Sequence, residues 1–344
     1  MSLTRSSSAR AHATEALATT LQTRLVAACD DLSARHGGEA MKPVSWLRDG
    51  GRHGGGRRFV TGDTATFNRA SVNVSTVHYD DLPSKGLRSA TALSAIVHPD
   101  PPRAPSVHTH ISYTELRDGR GYWRMMADLN PSIPDHADAR AFDTAIERVT
   151  GPLYPEARAQ GERYFFIGAL GRHRGVSHFY LEGHDSGSFE DDLGLAQRFG
   201  EAVIDTYTGL VAAVLERQAP ITDADRAAQL HYHSVYFFQV LTMDRGTTSG
   251  LLVHSDNDVG ILGSIPARVD RQQLGAWAAA LGPPQDALLQ QLVAALPPTA
   301  PAVVDTTVKR ALAGIVRNHY RAHPEALHLQ ARGDVVVPTV DNHR

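Results

Sequence analysis

The apolar positions near the amino terminus recur at intervals of three and four residues. This spacing runs from residue 14 to residue 34 and places the apolar side chains on one face of a helix. It stops at His36-Gly37-Gly38, where the glycines favour a helix end. The sequence therefore predicts an amphipathic helix over residues 14–34. Its apolar positions are Leu17, Leu21, Leu25, Val26, Cys29 and Leu32.

Between residues 70 and 124 the pattern changes to one typical of β-strands. Short segments rich in β-branched residues alternate with turn sequences such as Asp100-Pro101-Pro102. Strands joined by such short links pair with their neighbours in antiparallel fashion. The region therefore predicts an antiparallel meander. Its predicted strands cover residues 71–78, 90–98, 107–116 and 122–126.

The rest of the chain mixes helical patterns with further strand-like segments. Asp244-Arg245-Gly246-Thr247 predicts a hairpin turn, because Asp and Gly tolerate turn conformations. Strands that are segregated from flanking helices indicate an α+β fold with a broad antiparallel sheet. Helices are predicted at residues 137–149, 189–218, 223–229, 272–281, 285–296 and 307–323, and strands at residues 162–168, 175–182, 235–243 and 250–265.

Three segments are expected along the chain. Residues 1–40 form an amino-terminal helical segment, and residues 41–297 contain the strands and form the main domain. Residues 298–344 form a carboxy-terminal helical extension and tail. No linker divides the region that carries the strands.

Composition and charge exclude several classes of function. The chain has 344 residues, enough to bury a large core, and its 34 basic and 37 acidic residues give a net charge of -3. Such a balance lacks the positive field that binds nucleic acid, so no nucleic-acid partner is expected. Cys29 is the only cysteine, which excludes a disulfide framework and favours a reducing, cytoplasmic location. No apolar run approaches the roughly 20 residues of a membrane span.

A series of short motifs in constant order identifies a family. The motifs are Trp46-Leu47-Arg48, Ser75-Thr76-Val77-His78, Ile96-Val97-His98-Pro99, Ala104-Pro105-Ser106-Val107-His108, Asp128-Leu129-Asn130-Pro131, Leu153-Tyr154-Pro155, Tyr164-Phe165-Phe166-Ile167, Arg174-Gly175, Asp244-Arg245-Gly246-Thr247 and Ile261-Leu262-Gly263-Ser264-Ile265-Pro266. Together they resemble the aerobic coproporphyrinogen III oxidases, from about residue 43 to residue 297. Their joint order and spacing carry the resemblance.

The resemblance implies a large flat antiparallel sheet covered by helices on both faces, in a homodimer. Enzymes of this family oxidatively decarboxylate two propionate side chains of a porphyrinogen to vinyl groups in haem synthesis. They use O2 as co-substrate, with no obligatory metal and no organic cofactor. By position, His108 matches the family's active-site histidine, Asp128 the aspartate that holds the pyrrole N–H groups, and Arg174 a substrate-contacting arginine. These three are the predicted catalytic residues.

Several basic residues of the family are replaced in this chain. Leu170 stands at the position of one family arginine and Asn257 at that of another. A substrate with four carboxylates needs several cationic partners, and each charge-assisted hydrogen bond is worth about 1.5–3 kcal/mol. Loss of these partners points to a changed substrate unless other arginines replace them. The candidates for replacement are Arg124, Arg172 and Arg268.

Histidines gained near the inherited site suggest a metal centre. His108 and His110 share one face of a predicted strand, and His178 shares the face of Arg174 on another. Three imidazoles can hold Cu, Fe, Mn or Zn and leave a position open for O2 or substrate. Neutral pocket histidines without a metal are the alternative. Further candidate ligands or imidazole partners are Asp128, Glu182, His98 and His254.

Three functions follow from these observations. The first is an O2-dependent oxidoreductase that has diverged to a smaller carboxylate-bearing substrate, with His108, His110 and His178 completing a metal site. The second is an authentic, metal-independent coproporphyrinogen III oxidase. The third is a protein without turnover that binds a porphyrin or a metal in the same cleft. The number of cations that face the cleft distinguishes the first two.

Overall fold

An antiparallel sheet of seven strands lies at the centre of the computed structural model, which describes residues 3–254 and 257–335. The strand order is β1-β2-β3-β4-β5-β6-β9, so the first six strands form a meander and β9 joins its end. The strands are β1 (Lys42–Leu47), β2 (Gly54–Gly62), β3 (Phe67–His78), β4 (Leu87–Pro99), β5 (Ser106–Leu116), β6 (Gly121–Asn130) and β9 (Ser177–His184). The α+β class and the broad antiparallel sheet predicted from the sequence are confirmed.

Side chains alternate between the two faces of this sheet, and the two faces differ in chemistry. On β6, Trp123, Met125 and Ala127 point to an apolar face and are buried in the main hydrophobic core. Arg124 and Met126, between them, point to the opposite face and line a cavity. One face of the sheet therefore packs in the hydrophobic core, and the side chains of the other face are available to line a functional site.

Three helices cover the apolar face: α1 (Ala9–Arg35), α2 (His136–Thr150) and α4 (Phe189–Arg217). Leu21 and Cys29 of α1 are fully buried in the same core as the sheet residues. The predicted amphipathic helix is confirmed, and its apolar face packs directly on the sheet.

The cavity face is covered by a second layer that is mainly helical and has its own hydrophobic core. The elements that follow β6 outside the apolar-face layer are α3 (Tyr154–Phe165), β7 (Phe166–Ile167), β8 (Arg172–His173), α5 (Asp223–Thr242), α6 (Arg245–Val253), α7 (Asp258–Ile261), β10 (Arg268–Val269), α8 (Arg271–Trp277), α9 (Gln285–Ala295), β11 (Ala302–Val303) and α10 (Thr306–Ala322). Helices thus lie on both faces of the sheet. None of the helices in the described ranges combines the length and apolar character of a membrane span.

The strand predicted at residues 235–243 is wrong, because residues 235–242 belong to helix α5 and Met243 is its C-cap. The segment is rich in aromatic and β-branched residues, which favour strands in isolation. Thr222 and Asp225 form a capping box that starts the helix, and burial on all sides removes the amphipathic period that would have revealed it. Tertiary packing therefore overrides local propensity.

The hairpin predicted after residue 243 is also wrong. Asp244 is the N-cap of helix α6, and its Oδ2 accepts a hydrogen bond of 2.7 Å from the Thr247 N–H. An Asp before a Gly and a Thr suits both a turn and a helix start. Helical segments replace the strand predicted at residues 250–265, apart from residues 255–256, which lie outside the described residues.

The strand predicted at residues 162–168 is mostly helix α3, and only Phe166–Ile167 pairs with Arg172–His173. Helix α3 packs closely on β9 at Gly161. A Cβ atom at this glycine would lie 2.8 Å from the His178 carbonyl carbon, closer than real side chains approach. Gly161 therefore permits the approach that places Tyr164 and Phe165 beside the cavity face.

We predict opposite effects for two helical glycines. Gly161→Ala should lower the free energy of unfolding by about 1–3 kcal/mol, because backbone atoms of β9 cannot yield easily. Gly209→Ala, in α4 with no atom within 4 Å of the added methyl group, should raise it by about 0.5–1 kcal/mol. Urea denaturation of both variants measures their free energies of unfolding. Equal effects would contradict the close packing of α3 on β9.

Candidate active site

A cavity of about 310 Å³ lies between the polar face of the sheet and the second layer. Strands β3 to β6 and β9 form its floor, and α5, α6 and residues 257–264 contribute its roof. His108, His110 and Arg124 lie on the floor, whereas Tyr236 and Arg245 belong to the roof. The volume falls in the range of about 300–1,000 Å³ that is usual for sites of small organic molecules.

Strand register brings His108 and Asp128 together. His108 on β5 lies directly opposite Asp128 on β6, and Asp128 lies opposite His178 on β9. Directly opposed residues share a face, with Cβ atoms about 4.5–5.5 Å apart. The regular ladder of the sheet therefore creates the His108–Asp128 pair without help from a loop.

Asp128 is completely buried and receives hydrogen bonds from three side chains. Its Oδ1 lies 2.7 Å from His108 Nδ1, and its Oδ2 accepts bonds of 2.6 Å from both Arg174 Nη2 and Asn130 Nδ2. Burial alone would raise the pKa of this carboxyl, but the charge of Arg174 and the bond from His108 outweigh it and hold the pKa well below its usual value. Asp128 is therefore ionised, and an ionised carboxylate can only accept.

The orientation of His108 follows from this bond. Because Asp128 only accepts, His108 Nδ1 carries the hydrogen that it donates to Oδ1. In the neutral ring Nε2 is then the acceptor nitrogen, and His108 lines the cavity. A carboxylate that fixes the tautomer of an imidazole is the arrangement used where histidine acts as a general base.

Arg174 lies directly after the short β7–β8 hairpin, and its backbone N–H donates to the Phe165 carbonyl over 2.9 Å. Its side chain is 2% exposed, and its guanidinium carbon sits 4.7 Å from the Phe165 ring centre and 5.1 Å from that of Tyr236. Aromatic faces on both sides hold the guanidinium in place. Arg174 therefore neutralises Asp128, and the structure brings the three predicted catalytic residues into one cluster.

The predicted metal ligands do not converge. His110 lines the cavity and lies 3.0 Å from the Ser112 hydroxyl, and burial, with Arg124 and His108 nearby, holds its pKa well below the usual value. His178 lies beneath α3, where Nδ1 is 3.1 Å from Glu162 Oε1 and Nε2 is 2.6 Å from the Arg174 carbonyl oxygen.

With both of its ring nitrogens committed, His178 has none left for an ion shared with His108. No group of three or more His, Cys, Asp or Glu side chains in the described ranges is arranged to hold a metal ion. The predicted metal site on His108, His110 and His178 is therefore not supported.

The further candidate ligands also have other partners. Glu182 binds Arg124 and Tyr180, and its oxygens lie 2.9 and 2.8 Å from Arg124 Nε. His98 is fully buried between the Ser106 hydroxyl and the Ser264 carbonyl oxygen. His254 lines the cavity and lies 3.1 Å from Arg48 Nη1. The His98–Ser264 contact joins the sheet to the second layer, whereas Glu182 binds residues of the sheet itself.

Of the three arginines expected to replace the lost cations, only Arg124 lines the cavity. Arg268 pairs with Asp63, and Arg172 is exposed and donates to His231 over 2.7 Å. Arg245 also lines the cavity, where it begins helix α6. Sequence reasoning missed Arg245 because its motif was interpreted as a turn, although Asp is also a preferred residue at a helix N-cap.

Two tyrosines extend the polar wall of the cavity. Tyr164 donates to Asp244 Oδ1 over 2.9 Å, and Tyr180 donates to Glu182. Their rings lie 4.6 Å apart, centre to centre. Burial is the main reason that the pKa of each phenol is raised, so both remain neutral donors near pH 7. They link the cap of α6 with Arg124 on the floor.

The sequence is similar to one family of known proteins. The sequence profile of a family described as "Coproporphyrinogen III oxidase" matches residues 13–295. The oxygen-dependent coproporphyrinogen-III oxidase of Rickettsia bellii is 30% identical over 239 residues, which are 65% of this chain and 83% of that protein. The mitochondrial oxygen-dependent coproporphyrinogen-III oxidase of Homo sapiens is 29% identical over 263 residues, which are 69% of this chain and 57% of that protein.

We predict that Asp128→Asn destabilises the protein in a pH-dependent manner. The native pKa of Asp128 lies below its unfolded value of about 3.9, so its stabilising effect is present above about pH 4 and is lost as the pH falls through the native pKa. At pH 7 the variant leaves the Arg174 charge buried and unpaired, which should cost about 3–5 kcal/mol. Below pH 4 the difference from wild type should shrink.

Asp205→Asn is the matched control, because Asp205 pairs with Arg24 at the exposed surface. That change should alter the free energy of unfolding by less than about 1 kcal/mol. Urea denaturation between pH 3 and pH 7 compares the two variants. A loss for Asp128→Asn that is as small as the control's would contradict the role assigned to the buried pair.

Proposed function

The chain belongs to the coproporphyrinogen III oxidase family, and from this premise we propose that it is an oxygen-dependent oxidase that converts propionate side chains of a porphyrinogen to vinyl groups. The observation that carries the proposal is the His108–Asp128–Arg174 cluster at the cavity floor. The sequence resemblance assigned catalytic roles to the same three positions. O2 is the co-substrate, and no organic cofactor is needed.

The reaction removes two electrons and one carboxyl group from each side chain. Its balance is R–CH2–CH2–COO⁻ + O2 + H⁺ → R–CH=CH2 + CO2 + H2O2. The methylene carbon next to the pyrrole ring loses a hydrogen, the carboxylate leaves as CO2, and O2 takes up the two electrons. The protein has to hold the carboxylate, shield the reacting ring from water and manage one proton on the pyrrole nitrogen.

We assign the proton step to His108. With its Nδ1–H committed to Asp128, His108 accepts the pyrrole N–H proton at Nε2. A deprotonated pyrrole is richer in electrons and gives them up to O2 more readily. The proton returns to the nitrogen once the vinyl group has formed, so His108 is regenerated.

Asp128 and Arg174 act through His108 in this proposal. The positive charge that develops on His108 is stabilised by the ionised Asp128, whose second oxygen is held by Arg174 and Asn130. Since Asp128 is completely buried, it serves as a positioning residue. This differs from the expectation that Asp128 holds the substrate N–H groups and that Arg174 contacts the substrate.

The carboxylates of the substrate need other partners. Arg245 lines the cavity at the start of α6, where Gly246 and Thr247 also reach the cavity wall. A guanidinium next to a helix N-terminus is a favourable environment for a carboxylate. Arg124 also lines the cavity, where Glu182 neutralises its charge. We therefore propose Arg245 as the main carboxylate partner in the cavity.

The comparisons favour the parent reaction over the other two functions. The relatives are named for oxidation of coproporphyrinogen, and the residues that the structure describes do not assemble the ligand set required for a diverged metalloenzyme. A binding protein without turnover would have no need of the fixed His108 tautomer. The homodimer and the cytoplasmic location stay predictions, drawn from the resemblance and the composition.

The first test is His108→Asn compared with His108→Ala. The Asn amide can replace Nδ1–H toward Asp128, but it supplies nothing in place of Nε2. Both variants should therefore lose kcat/KM by about 100- to 10,000-fold, as expected for loss of a general base. The assay is O2 uptake with coproporphyrinogen III under reducing conditions, with the vinyl product identified by mass spectrometry.

Thermal unfolding separates chemistry from folding in this test. His108→Asn should retain a Tm close to that of wild type because its bond to Asp128 is kept. Activity near wild type in His108→Asn would exclude Nε2 as the proton acceptor. Wild-type protein that consumes no O2 with coproporphyrinogen III would refute the proposed substrate.

The second test concerns carboxylate binding. Arg245→Gln should raise KM for coproporphyrinogen III by ten- to a hundredfold, which corresponds to one lost charge-assisted hydrogen bond of about 1.5–3 kcal/mol. The change in kcat should be smaller, since the chemistry takes place at His108. Arg172→Gln, an exposed arginine outside the cavity lining, is the control and should leave KM unchanged. Equal effects in both variants would refute the assignment.

A further inference from the structure

Three basic side chains lie on the side of the sheet that carries the active-site cavity. Arg58 on β2 lies opposite Asn73 of β3, and Arg69 stands four pairs further along the same ladder, opposite Gly62. Because the two positions on β3 are four residues apart, Arg58 and Arg69 are on the same face of the sheet. Lys309 approaches from helix α10, and the charges of both arginines act on its amine. We call these three residues the basic cluster.

The basic cluster has almost no acceptors among the described residues. Arg69 makes no hydrogen bond or ion pair with any of them, and its Nε is buried without a partner. Lys309 is 5% exposed and likewise has no ion pair or hydrogen bond in the described ranges. Within the described part of the chain, Arg58 donates to a single acceptor, Asn257 Oδ1, over 2.5 Å. Buried charges without partners are costly, and proteins normally pair them.

The neighbouring acid does not supply the missing charge. Asp63 lies near Arg69, but its Oδ1 and Oδ2 accept bonds of 2.5 and 3.0 Å from Arg268. Burial, followed by the charges of Arg69 and Arg58, lowers the pKa of Lys309 to about 7. An anion placed among these residues would reverse this effect and restore the charged amine.

We propose that Arg58, Arg69 and Lys309 bind a carboxylate group of a small molecule. A guanidinium fork matches the planar, two-oxygen geometry of a carboxylate, and the Lys309 amine, on which the charges of both arginines act, adds a further donor group. The cluster is separate from the His108 site but adjoins its cavity, because Asn257 and Gly260 line the cavity and touch Arg58. Lys309 lies beyond residues 13–295, the region that matches the family profile.

The carboxylate has two chemical sources. A porphyrinogen bound in the cavity can extend one of its propionates past Asn257, or a separate small carboxylate can bind at the cluster by itself. Succinate is the probe for the separate molecule. Coproporphyrin III, the stable oxidised tetracarboxylate, is the probe for the substrate's own side chain.

The test is isothermal titration calorimetry of the full-length protein with each probe at constant ionic strength. Wild type is compared with Arg69→Gln and Lys309→Met, and Arg310→Gln is the matched control. Arg310 is an exposed cation next to Lys309 on the same helix, so its replacement makes the same change in net charge. Neither probe requires turnover, so the result does not depend on the proposed oxidase activity.

We expect at least one probe to bind wild type and the control alike, with affinity lowered tenfold or more in Arg69→Gln and Lys309→Met. If succinate shows this, the ligand is a separate small carboxylate; if only coproporphyrin III shows it, the ligand is the substrate's own propionate. Absence of binding by both probes, or losses below tenfold in the two variants, overturns the proposal.

Thermal unfolding of the ligand-free protein gives a second readout. Lys309→Met has a similar length and removes a buried unpaired charge, so it should raise the Tm while it weakens probe binding. A site kept for a ligand at the expense of stability behaves in this way. A Tm below that of wild type would show that the amine stabilises the fold itself, and would overturn the proposal.

Discussion

The buried attraction between Asp128 and Arg174 is the interaction on which the candidate active site depends. Because both side chains are buried and are not solvated by water, each charge is stabilised by the other. Each side chain also has further contacts. Asp128 is held by His108 and Asn130, and Arg174 lies between two aromatic rings. The pair joins two strands of the sheet to the segment before β9. As a result the orientation of His108 is fixed within the protein itself, and substrate binding energy is not needed to arrange this cluster.

Sequence patterns predicted the parts of the fold in which apolar and polar residues alternate regularly along the chain. The meander from β3 to β6 and the helix α1 were predicted because their apolar periods of two and of three to four residues are long and regular. The His108–Asp128–Arg174 cluster was predicted by the family motifs. Helix α5 was not, because a helix buried on all sides carries no amphipathic period, and its aromatic residues favour strands.

The partners of the charged residues lay beyond sequence reasoning for a different reason. Arg124 and Glu182 are 58 positions apart, and only the register of β6 with β9 reveals that they neutralise each other. His178 has the right spacing for a ligand, yet its nitrogens are used by Glu162 and a carbonyl oxygen. Whether a charge is available to a substrate is decided by its neighbours in space, and a single sequence does not contain that information.

The division of the central sheet into an apolar and a polar face has a consequence for how such an enzyme can be altered. Successive residues of one strand belong to different environments: Ile111 is part of the core, while His110 and Ser112 face the cavity. Replacing a cavity-facing residue leaves the packing on the other side of the sheet in place. The effects of substitutions at distant sites on the free energy of unfolding are nearly additive. The scaffold is therefore suited to combinatorial redesign, in which every second position of β4 and β5 is randomised and specificity is selected without a search for compensating core mutations.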